Sequence, residues 1–511
     1  MADTINNKRI IRNTFYLYVR MGVVMLVQLY TSRVVLQVLG VDDFGLWSVI
    51  ASFIVSFSFV QGPLTTATQR FLSYEMGSGG NREGRIFSTS LLLFLTLGAA
   101  LFVILETVGV WFLNTHMNIP DGKQASANWV FQFSILAFIT SFVRMPYDSA
   151  LIAYERMSFY TIICVVEVVL LLGIAYILLW HTGADKIVMY GVLLFASKLI
   201  VTLCCKFYCN RKIACTHFHF VCDGILMRQI GSFSGWNLFG ALSIATATQG
   251  INILLNMFFN VTVNAAYAIA NQMAMGLMSL VSNFQKAVNP QIIKSYATKE
   301  MAGCHKLICM ASKYSFFLLF ALVCPAILNM EFLLRLWLGD SFSSYTPVFC
   351  QLMLCYMLLV CISLPMETGV FATGKIRGYQ IVLGFSILGN IIISYFLFLK
   401  ANFLPVAALY VKNIVEIIVL LIRLLYARKL LGFSVLNYFR FTMIPICAVL
   451  CATFIASYVA YRYMIWQEGW QKLLFTCMAF YPIYGMSIYL IGMGKQERIV
   501  CKKWLTGRLS H

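Results

Sequence analysis

Fourteen apolar segments, each long enough to cross a lipid bilayer as a helix, follow one another along this 511-residue chain. About 20 apolar residues are enough to span the hydrocarbon core. Hydrophobic residues make up 60% of the chain and charged residues 11%, against roughly 45–50% and 25% in soluble domains. The segments lie at residues 13–38, 45–67, 86–113, 128–145, 158–180, 187–206, 230–257, 265–288, 312–332, 345–365, 379–399, 404–425, 439–460 and 472–492. The chain is therefore predicted to be an all-α integral membrane protein with 14 transmembrane helices and no sizeable soluble domain.

The 38 lysine and arginine residues are spread unevenly between the two sides of the predicted membrane. Four lie inside predicted helices, more than two residues from either end, and these are Arg20, Arg33, Lys198 and Lys412. Basic residues at the helix ends, such as Arg144 and Arg423, are counted with the loops. Only six fall on the side opposite the amino terminus, and these are Lys123, Lys186, Arg335, Lys400, Arg462 and Lys472. Because cytoplasmic loops are enriched in Lys and Arg, the remaining 28 predict that both termini are cytoplasmic. Topology thus explains the net charge of +19, and no nucleic-acid partner is expected.

The loops between the predicted helices are short and contain no recognisable catalytic set. None holds a concentrated carboxylate pair, a Ser/His/Asp set or a Gly-rich phosphate-binding turn, which argues against an enzyme and against a bound cofactor. Five cysteines and two histidines lie between positions 204 and 222, but they lack the paired C-x2-4-C spacing of zinc sites. No metal is expected, and the cysteines are predicted to be free thiols in a reducing cytoplasm.

Two segments of the chain have similar sequences at an offset of 219 residues. Residues 146–156 (PYDSALIAYER) align with residues 365–375 (PMETGVFATGK). The matched pairs are Pro146 with Pro365, Asp148 with Glu367, Ser149 with Thr368, Ala153 with Ala372, Arg156 with Lys375 and, just beyond, Tyr160 with Tyr379. Six crossings return the chain to the same side, so this offset predicts two six-helix lobes, related as a parallel pseudo-twofold repeat, with a pathway between them. The predicted division is residues 1–228, residues 229–428, and an appended helix pair with a basic tail in residues 429–511.

The first predicted helix carries charge into the membrane at Arg20 and Arg33, with Gln28 between them. A charge at the bilayer centre costs at least ~2.5–3.5 kcal/mol and is tolerated where it faces protein or a water-filled cavity. These three residues are therefore candidates for binding a polar cargo. In the structural alternative, the arginines pair with a buried acid such as Glu106 or Glu167.

The acids inside the membrane are candidates for coupling transport to an ion. They are Glu106, Glu167 and Glu416. Because Glu416 lies four residues after Lys412, an ion pair between these two is the simpler interpretation. Lys198 is interpreted as a structural residue that reaches towards the cytoplasmic face.

The seventh predicted helix carries no charge, but it has a polar stripe. Spacings of three and four residues place this stripe on one helical face; its members are Ser243, Thr246, Gln249, Asn252 and Asn256. The stripe either bonds to neighbouring helices, as polar residues in membranes commonly do, or lines a cavity for a polar ligand. Gln249, Asn252 and Asn256 are therefore included among the candidate substrate-binding residues.

Several segments of the chain carry a family resemblance. They are residues 39–47 (LGVDDFGLW), residues 69–74 (QRFLSY), residues 146–156, residues 270–272 (ANQ) and residues 289–290 (NP). With the first helix, they resemble the bacterial polysaccharide flippases of the Wzx type, within the multidrug/oligosaccharidyl-lipid/polysaccharide exporter superfamily. The resemblance covers essentially the whole chain, and its motifs are diffuse.

The resemblance implies a multi-pass protein of the bacterial inner membrane. Such a protein moves a polyprenyl-pyrophosphate-linked oligosaccharide, a precursor of O-antigen, capsule or exopolysaccharide, from the cytoplasmic to the periplasmic leaflet. Polysaccharide polymerase and export machinery are the implied protein partners. The residues are compatible with this cargo, because arginine is suited to phosphate and rocking of two lobes would carry a head group across the bilayer.

Three rival functions remain open at this point. A drug/cation antiporter of the same superfamily is expected to have twelve helices and ion-binding carboxylates, whereas the first helix here is cationic. A flippase for the peptidoglycan precursor lipid II shares the fourteen helices and the cationic character. A membrane glycosyltransferase or polymerase is disfavoured by the short external loops.

Overall fold

Each of the fourteen predicted segments overlaps one long helix of the computed structural model over most of its length. The structure describes residues 2–116, 119, 122–180, 185–219, 223–259, 261–339, 342–401, 403–463, 469–494 and 497–498. The long helices are α1 (Arg12–Gly40), α2 (Asp43–Ser78), α3 (Glu83–Thr115), α4 (Gln124–Ala153), α5 (Met157–Trp180), α6 (Lys186–Lys212), α7 (Gly224–Phe258), α8 (Val261–Ala297), α9 (Met301–Leu328), α10 (Thr346–Thr373), α11 (Arg377–Leu399), α12 (Ala407–Leu431), α13 (Val435–Ile455) and α14 (Trp470–Gly492). All regular secondary structure in the described residues is helical, which confirms the all-α prediction for this part of the chain.

Twelve of these helices are long and apolar enough to span a membrane. The two others, α8 and α12, are long but more polar. Helix α12 carries Lys412, Glu416 and Arg423, and α8 is rich in asparagine, glutamine and serine. Length and composition therefore support twelve spans in the described residues, and the predicted count of fourteen depends on whether these two polar helices also cross.

The described residues form two compact units. The first, Arg9–Leu238, is called the N unit, and the second, which combines the residues before Arg9 with those from Phe239 in α7 onwards, is called the C unit. In the N unit, α1 is separated from α2 by a kink rather than a loop, because Gly40 adopts a φ of 79° and a ψ of 171°. This conformation is costly for any residue with a Cβ atom. The LGVDDFGLW segment therefore needs its first glycine to turn the chain directly from one helix into the next.

Contacts between α1 and α5 show that these two helices run in the same direction. The hydroxyl of Thr161 in α5 donates to the carbonyl oxygen of Tyr16 in α1 at 3.0 Å. Fourteen residues further along α1, the hydroxyl of Tyr30 lies 2.9 Å from that of Tyr176. The contact points advance together along both helices. Helices one and five of a chain that crosses a membrane at every helix are expected to be parallel in this way.

Two residues matched by the sequence repeat make equivalent contacts in the two units. In the N unit, Ser149 of α4 donates a hydrogen bond to the carbonyl oxygen of Thr65 in α2 at 3.3 Å. In the C unit, Thr368 of α10 donates to the side-chain oxygen of Asn289 in α8 at 3.2 Å. The prolines of the repeat lie inside α4 and α10. Within each unit, the matched residue therefore ties the fourth helix to the second.

Helices α13 and α14, which the sequence places outside the repeat, belong to the C unit and pack on α9. The hydroxyl of Tyr484 in α14 donates a hydrogen bond to the carbonyl oxygen of Phe317 in α9. Beyond α14, the carboxylate of Glu497 lies 2.8 Å from the ammonium of Lys313, a buried residue of α9. This ion pair fixes the chain that follows α14 to the side of α9.

Candidate functional site

The N unit contains a buried ion network centred on Arg144. Its Nη1 atom lies 2.6 Å from Oε2 of Glu167 in α5, and its Nε atom lies 3.2 Å from Oδ2 of Asp148, one turn later in α4. The second carboxylate oxygen of Glu167 pairs with Lys198 of α6. The network joins three helices and contains two cations and two carboxylates. Lys198 thus contributes to internal packing, in agreement with its interpretation as a structural residue.

Arg20 of α1 lies beside this network. Its guanidinium is stacked over the ring of Tyr160, 5.1 Å from the ring centroid, and donates to the sulfur of Cys164 at 3.7 Å. Tyr160 and Cys164 also interact electrostatically with Arg144. Together with the four residues of the network, Arg20 brings the charge of these five side chains to +1. A guanidinium is a suitable contact for an anionic group.

The other candidates in α1 lie elsewhere. Arg33 and Gln28 are exposed, whereas Arg20 is half-buried. Arg20 and Arg33 are 13 residues apart, which corresponds to about 140° around an ideal helix, so the two guanidiniums leave α1 on different faces. The acids named in the structural alternative are bonded to other residues: Glu167 pairs with Arg144 and Lys198. The alternative in which the α1 arginines neutralise these acids is therefore not the arrangement in the structure.

The C unit contains a second buried network, centred on Arg423 of α12. Its Nη2 atom lies 3.0 Å from Oε2 of Glu367 in α10, and its Nη1 atom lies 3.4 Å from Oε1 of Glu416. The Nε atom donates to the hydroxyl of Tyr379 in α11 at 3.1 Å, and Nη1 also bonds to Ser363. Arg423 is only 4% exposed. One guanidinium therefore holds two carboxylates away from lipid.

The two networks use positions matched by the sequence repeat. Asp148 and Glu367, which follow the repeated prolines by two residues, are each paired with an arginine. Tyr160 and Tyr379 each contact an arginine as well, one through its ring and the other through its hydroxyl. The acid and the tyrosine thus occupy matched positions in the two units. The arginines that contact them come from α1 and α4 in the N unit and from α12 in the C unit.

The predicted ion pair between Lys412 and Glu416 is wrong. Glu416 pairs with Arg423 instead. The ammonium of Lys412 lies over two aromatic rings, 4.6 Å from the ring centroid of Tyr356 and 5.6 Å from that of Tyr267, and it bonds to the Tyr267 hydroxyl at 3.4 Å. Spacing of four residues allows a helical pair, but the guanidinium of Arg423 forms the competing contact and tyrosine faces stabilise the ammonium.

Glu106 differs from the other two acids in its contacts. It lies in a π-helical turn of α3, Leu105–Gly109, and its Oε2 atom accepts a hydrogen bond from the amide of Gln132 in α4 at 2.9 Å. Its Oε1 atom is buried and has no hydrogen-bond partner among the described residues. No cation among them pairs with it. Turns of this kind inside α-helices are frequently found at functional sites.

The polar stripe of α7 is only partly used in packing. Ser243 is buried and bonds to the backbone of its own helix, and the amide of Asn252 donates to Gln249 at 3.3 Å. Thr246, Gln249 and Asn256 are exposed. Thr246, Gln249 and Asn256 thus present donors and acceptors on the helix surface, whereas the Oδ1 atom of Asn252 is buried without a hydrogen-bond partner among the described residues.

Sequence reasoning missed the residues at the centres of both networks. Arg144 and Arg423 were counted as cytoplasmic loop residues because they lie near the ends of their apolar segments, yet both are buried and ion-paired within α4 and α12. Their removal from the loop count leaves the charge bias between the two sides intact. The repeat could have indicated both arginines, because it matches Asp148 with Glu367. An acid at the same position in two membrane helices requires a cation nearby.

Comparison with known proteins identifies the fold. No protein-family model matches the chain. A curated protein, the uncharacterized membrane protein EpsK of Bacillus subtilis (strain 168), is 21% identical over 490 residues, which cover 92% of this chain and 93% of that protein.

Solved structures with the same fold are transporters. A multidrug resistance transporter of the MATE family, in the MOP superfamily and in an outward-facing conformation, aligns with a TM-score of 0.71 and 14% identity, over 84% of this chain and 96% of that chain. A MOP superfamily transporter from Pyrococcus furiosus, for which a reverse polarity of the binding pocket suggests a different function, aligns with a TM-score of 0.69 and 13% identity over the same shares. The chain therefore has the fold of MATE-type transporters.

Proposed function

We propose that this protein is a flippase for lipid-linked oligosaccharides. Its cargo is a polyprenyl-pyrophosphate-linked repeat unit of a surface polysaccharide, which it moves from the cytoplasmic to the periplasmic leaflet of the bacterial inner membrane by alternating access. In this proposal all fourteen helices cross, helices α1–α6 and α7–α12 form the two lobes of a parallel repeat, and both termini are cytoplasmic. The transporter fold and the uneven distribution of basic residues support this arrangement.

The observation that carries the proposal is the position of Arg20. The guanidinium of Arg20 lies over the ring of Tyr160, beside the buried network of the N unit, and a guanidinium favours an anionic group over a cationic drug. Arginine recognises phosphate oxygens through several donors in one plane. Arg33, exposed on the same helix, supplies a second guanidinium for a pyrophosphate during its passage. Gln28, Gln249, Asn252 and Asn256 are proposed to contact sugar hydroxyls.

Of the three candidates for ion coupling, we favour Glu106. Glu167 is neutralised by Arg144 and Lys198, and Glu416 shares the guanidinium of Arg423. Glu106 has only the amide of Gln132, and one of its carboxylate oxygens is buried without a partner. Two side chains offer too few oxygens for a metal cation. A proton is therefore the ion that this site suits.

Replacing Glu106 with glutamine is expected to uncouple transport from the pH gradient. The amide keeps the size of the side chain and a hydrogen bond to Gln132, but it cannot exchange a proton. In proteoliposomes, an imposed pH gradient should accelerate cargo movement by the wild-type protein several-fold and leave the Glu106→Gln variant unaffected. Movement down a cargo gradient should persist in both. A variant that still responds fully to the pH gradient would remove Glu106 from this role.

Two alternatives are tested by the same genetic experiment. Lipid II is also an anionic polyprenyl-linked cargo, and the MATE-family neighbours favour a multidrug transporter. Deletion of the gene is expected to abolish surface polysaccharide while growth continues. Lysis on deletion would favour lipid II, and unchanged polysaccharide with increased sensitivity to cationic drugs would favour the multidrug function.

A further inference from the structure

A row of side-chain amides follows the contact between α3 and α4 from the ends of these helices that the charge distribution predicts to be external. It consists of Gln124, Asn128 and Gln132, spaced by four residues on one face of α4, and Asn114 of α3, and is called the amide row. The amides of Asn114 and Asn128 each donate to the other's side-chain oxygen, at 3.2 and 3.0 Å, and Gln124 donates to Asn114 at 2.6 Å. At the other end of the row, Gln132 donates to Glu106 at 2.9 Å. Polar groups therefore lead from the beginning of α4 to this carboxylate.

The amide row passes from the surface into the N unit. Asn114 and Gln124 are exposed, whereas Asn128, Gln132 and Glu106 are half-buried. Glu106 lies nine residues before the end of α3, which is about 14 Å at the rise of an α-helix. Asn128 and Gln132 are one turn apart, roughly 6 Å along the axis, and one or two hydrogen-bonded water molecules span such a distance. The row is thus short enough to connect Glu106 with water beyond the helix ends.

On the cytoplasmic side of Glu106, the contact between α3 and α4 is apolar. The rings of Phe94 and Phe142 lie edge-on with their centroids 6.3 Å apart. Gly98 lies so close to α4 that a Cβ atom on it would be 3.6 Å from the Cβ of Phe142. Phe94, Phe142 and Ile135 belong to one buried apolar cluster. Glu106 is therefore connected by polar groups to the outer end of the two helices and separated by apolar side chains from the cytoplasmic end.

The side of Glu106 that faces the core is closed as well. Gly109, in the same π-helical turn, lies against α4, because a Cβ atom on it would be 2.9 Å from Cζ of Phe131 and 3.4 Å from Cε1 of Phe53. The rings of Phe53 and Phe131 are 6.1 Å apart. These aromatic side chains fill the space behind the carboxylate, so the amide row is the polar route that the contact between α3 and α4 provides.

The charged groups near the amide row are at its outer end. Lys123, which precedes α4, pairs with Asp43 of α2, and Asp185 accepts a hydrogen bond from Ser126 at 3.3 Å. Within residues 105–115 and 124–132, Glu106 is the single charged side chain. The carboxylate is therefore the group of this region that can bind and release a proton.

We propose that the amide row is the path by which Glu106 exchanges protons with water on the outer side of the membrane. Side-chain amides offer both donors and acceptors, so they hold water molecules in a hydrogen-bonded chain along the contact between α3 and α4. A proton moves along these waters to the carboxylate and returns by the same route. The inference rests on the proposed coupling role of Glu106 and adds the side from which its proton comes and the residues that deliver it.

Labelling of Glu106 with dicyclohexylcarbodiimide tests the side of access. This apolar reagent reacts with protonated carboxyl groups, and mass spectrometry of the α3 peptide measures the product in oriented, sealed vesicles. A cysteine at position 121, in a companion protein without native thiols, reports with an impermeant maleimide which side carries the loop between α3 and α4. Acidifying that side alone is expected to raise the labelling rate several-fold, and acidifying the opposite side alone should leave it unchanged. Labelling that follows the opposite side, both sides or neither would overturn the proposal.

Variants of the amide row test the route itself. Leucine in place of both Asn114 and Asn128 removes polar groups of similar size and is expected to abolish the response of Glu106 labelling to pH on the loop side. Thr107→Val is the matched control, because its hydroxyl bonds to the backbone of its own helix at 2.7 Å, and it should respond as the wild-type protein does. Asn114→Leu alone, at an exposed position, provides the same test if the double variant is poorly folded. A wild-type response in these leucine variants would show that the proton arrives by another route.

The outcome separates the proton path from the coupling role of Glu106. The labelling measurements need no cargo. Labelling that follows the loop side, together with cargo movement that ignores a pH gradient, would refute the coupling role and leave the amide row as the proton path. Cargo movement that responds to a pH gradient, together with labelling that follows the opposite side, would refute the amide row and leave the coupling role.

Discussion

Alanine in place of Arg20 is expected to abolish the export of surface polysaccharide without lowering the amount of protein in the membrane. The reason is the environment of this guanidinium: it contacts Tyr160 and Cys164, while the neighbouring acids are neutralised by Arg144 and Lys198. Loss of Arg20 should therefore leave the ion pairs of Arg144 and Lys198 with Glu167 and Asp148 intact. Arg33→Ala is expected to have the same effect, because Arg33 has an exposed side chain and is proposed to contact the same pyrophosphate.

Conservative variants and a matched control sharpen this prediction. Arg33→Lys should retain part of the export, since the charge survives while the planar arrangement of donors is lost. Arg12→Ala, at the exposed start of α1, should export normally. Surface polysaccharide and membrane protein are measured together. Low protein abundance in the Arg20→Ala and Arg33→Ala variants would indicate a structural role, and normal export by both at normal abundance would remove them from the site.

Alanine in place of Arg423, unlike alanine in place of Arg20, is expected to cause a large loss of folded protein. This guanidinium holds Glu367 and Glu416 in the C unit, and removal of one partner of a buried ion pair typically costs 3–5 kcal/mol. Because the whole stability of a protein is about 5–15 kcal/mol, the variant should be present at a small fraction of the wild-type amount. Protein abundance in the membrane and the midpoint of thermal unfolding in detergent measure this effect.

Two further variants separate the ion pair from other effects of the substitution. Arg428→Ala removes an exposed arginine from the last turn of the same helix and should leave abundance unchanged. Glu367→Gln combined with Glu416→Gln in the Arg423→Ala protein removes the stranded charges and should restore part of the lost abundance. Normal abundance of Arg423→Ala alone would mean that the network does not stabilise the C unit.

The positions of the helices followed from the sequence because membrane helices obey one dominant constraint. Every backbone polar group in lipid must be bonded within its own segment, so apolar length alone located all fourteen long helices. The count of crossings depends on α12, since Lys412, Glu416 and Arg423 lower the apolar character of this helix although these three side chains are buried or bonded inside the protein.

Pairing of the buried charges was harder to predict than their presence. The repeat identified Asp148 and Glu367 as equivalent positions, and the structure gives both an arginine partner. Spacing along one helix suggested the wrong partner for Glu416, because Arg423, seven residues away on the same helix, is the nearer cation in three dimensions. Local periodicity reports which residues share a face, and both Lys412 and Arg423 share a face with Glu416; the aromatic rings of Tyr267 and Tyr356, which hold Lys412, come from other helices and could not be placed from spacing.

The most direct test of the proposed function is transport by the purified protein in proteoliposomes. A polyprenyl-pyrophosphate-linked oligosaccharide placed in one leaflet should become accessible to a glycan-modifying enzyme on the other side when the wild-type protein is present. The Arg20→Ala protein, reconstituted at equal density, should give only the rate of protein-free vesicles. Wild-type vesicles that leave this cargo in its original leaflet but accumulate a cationic drug would contradict the flippase assignment and favour the multidrug transporter.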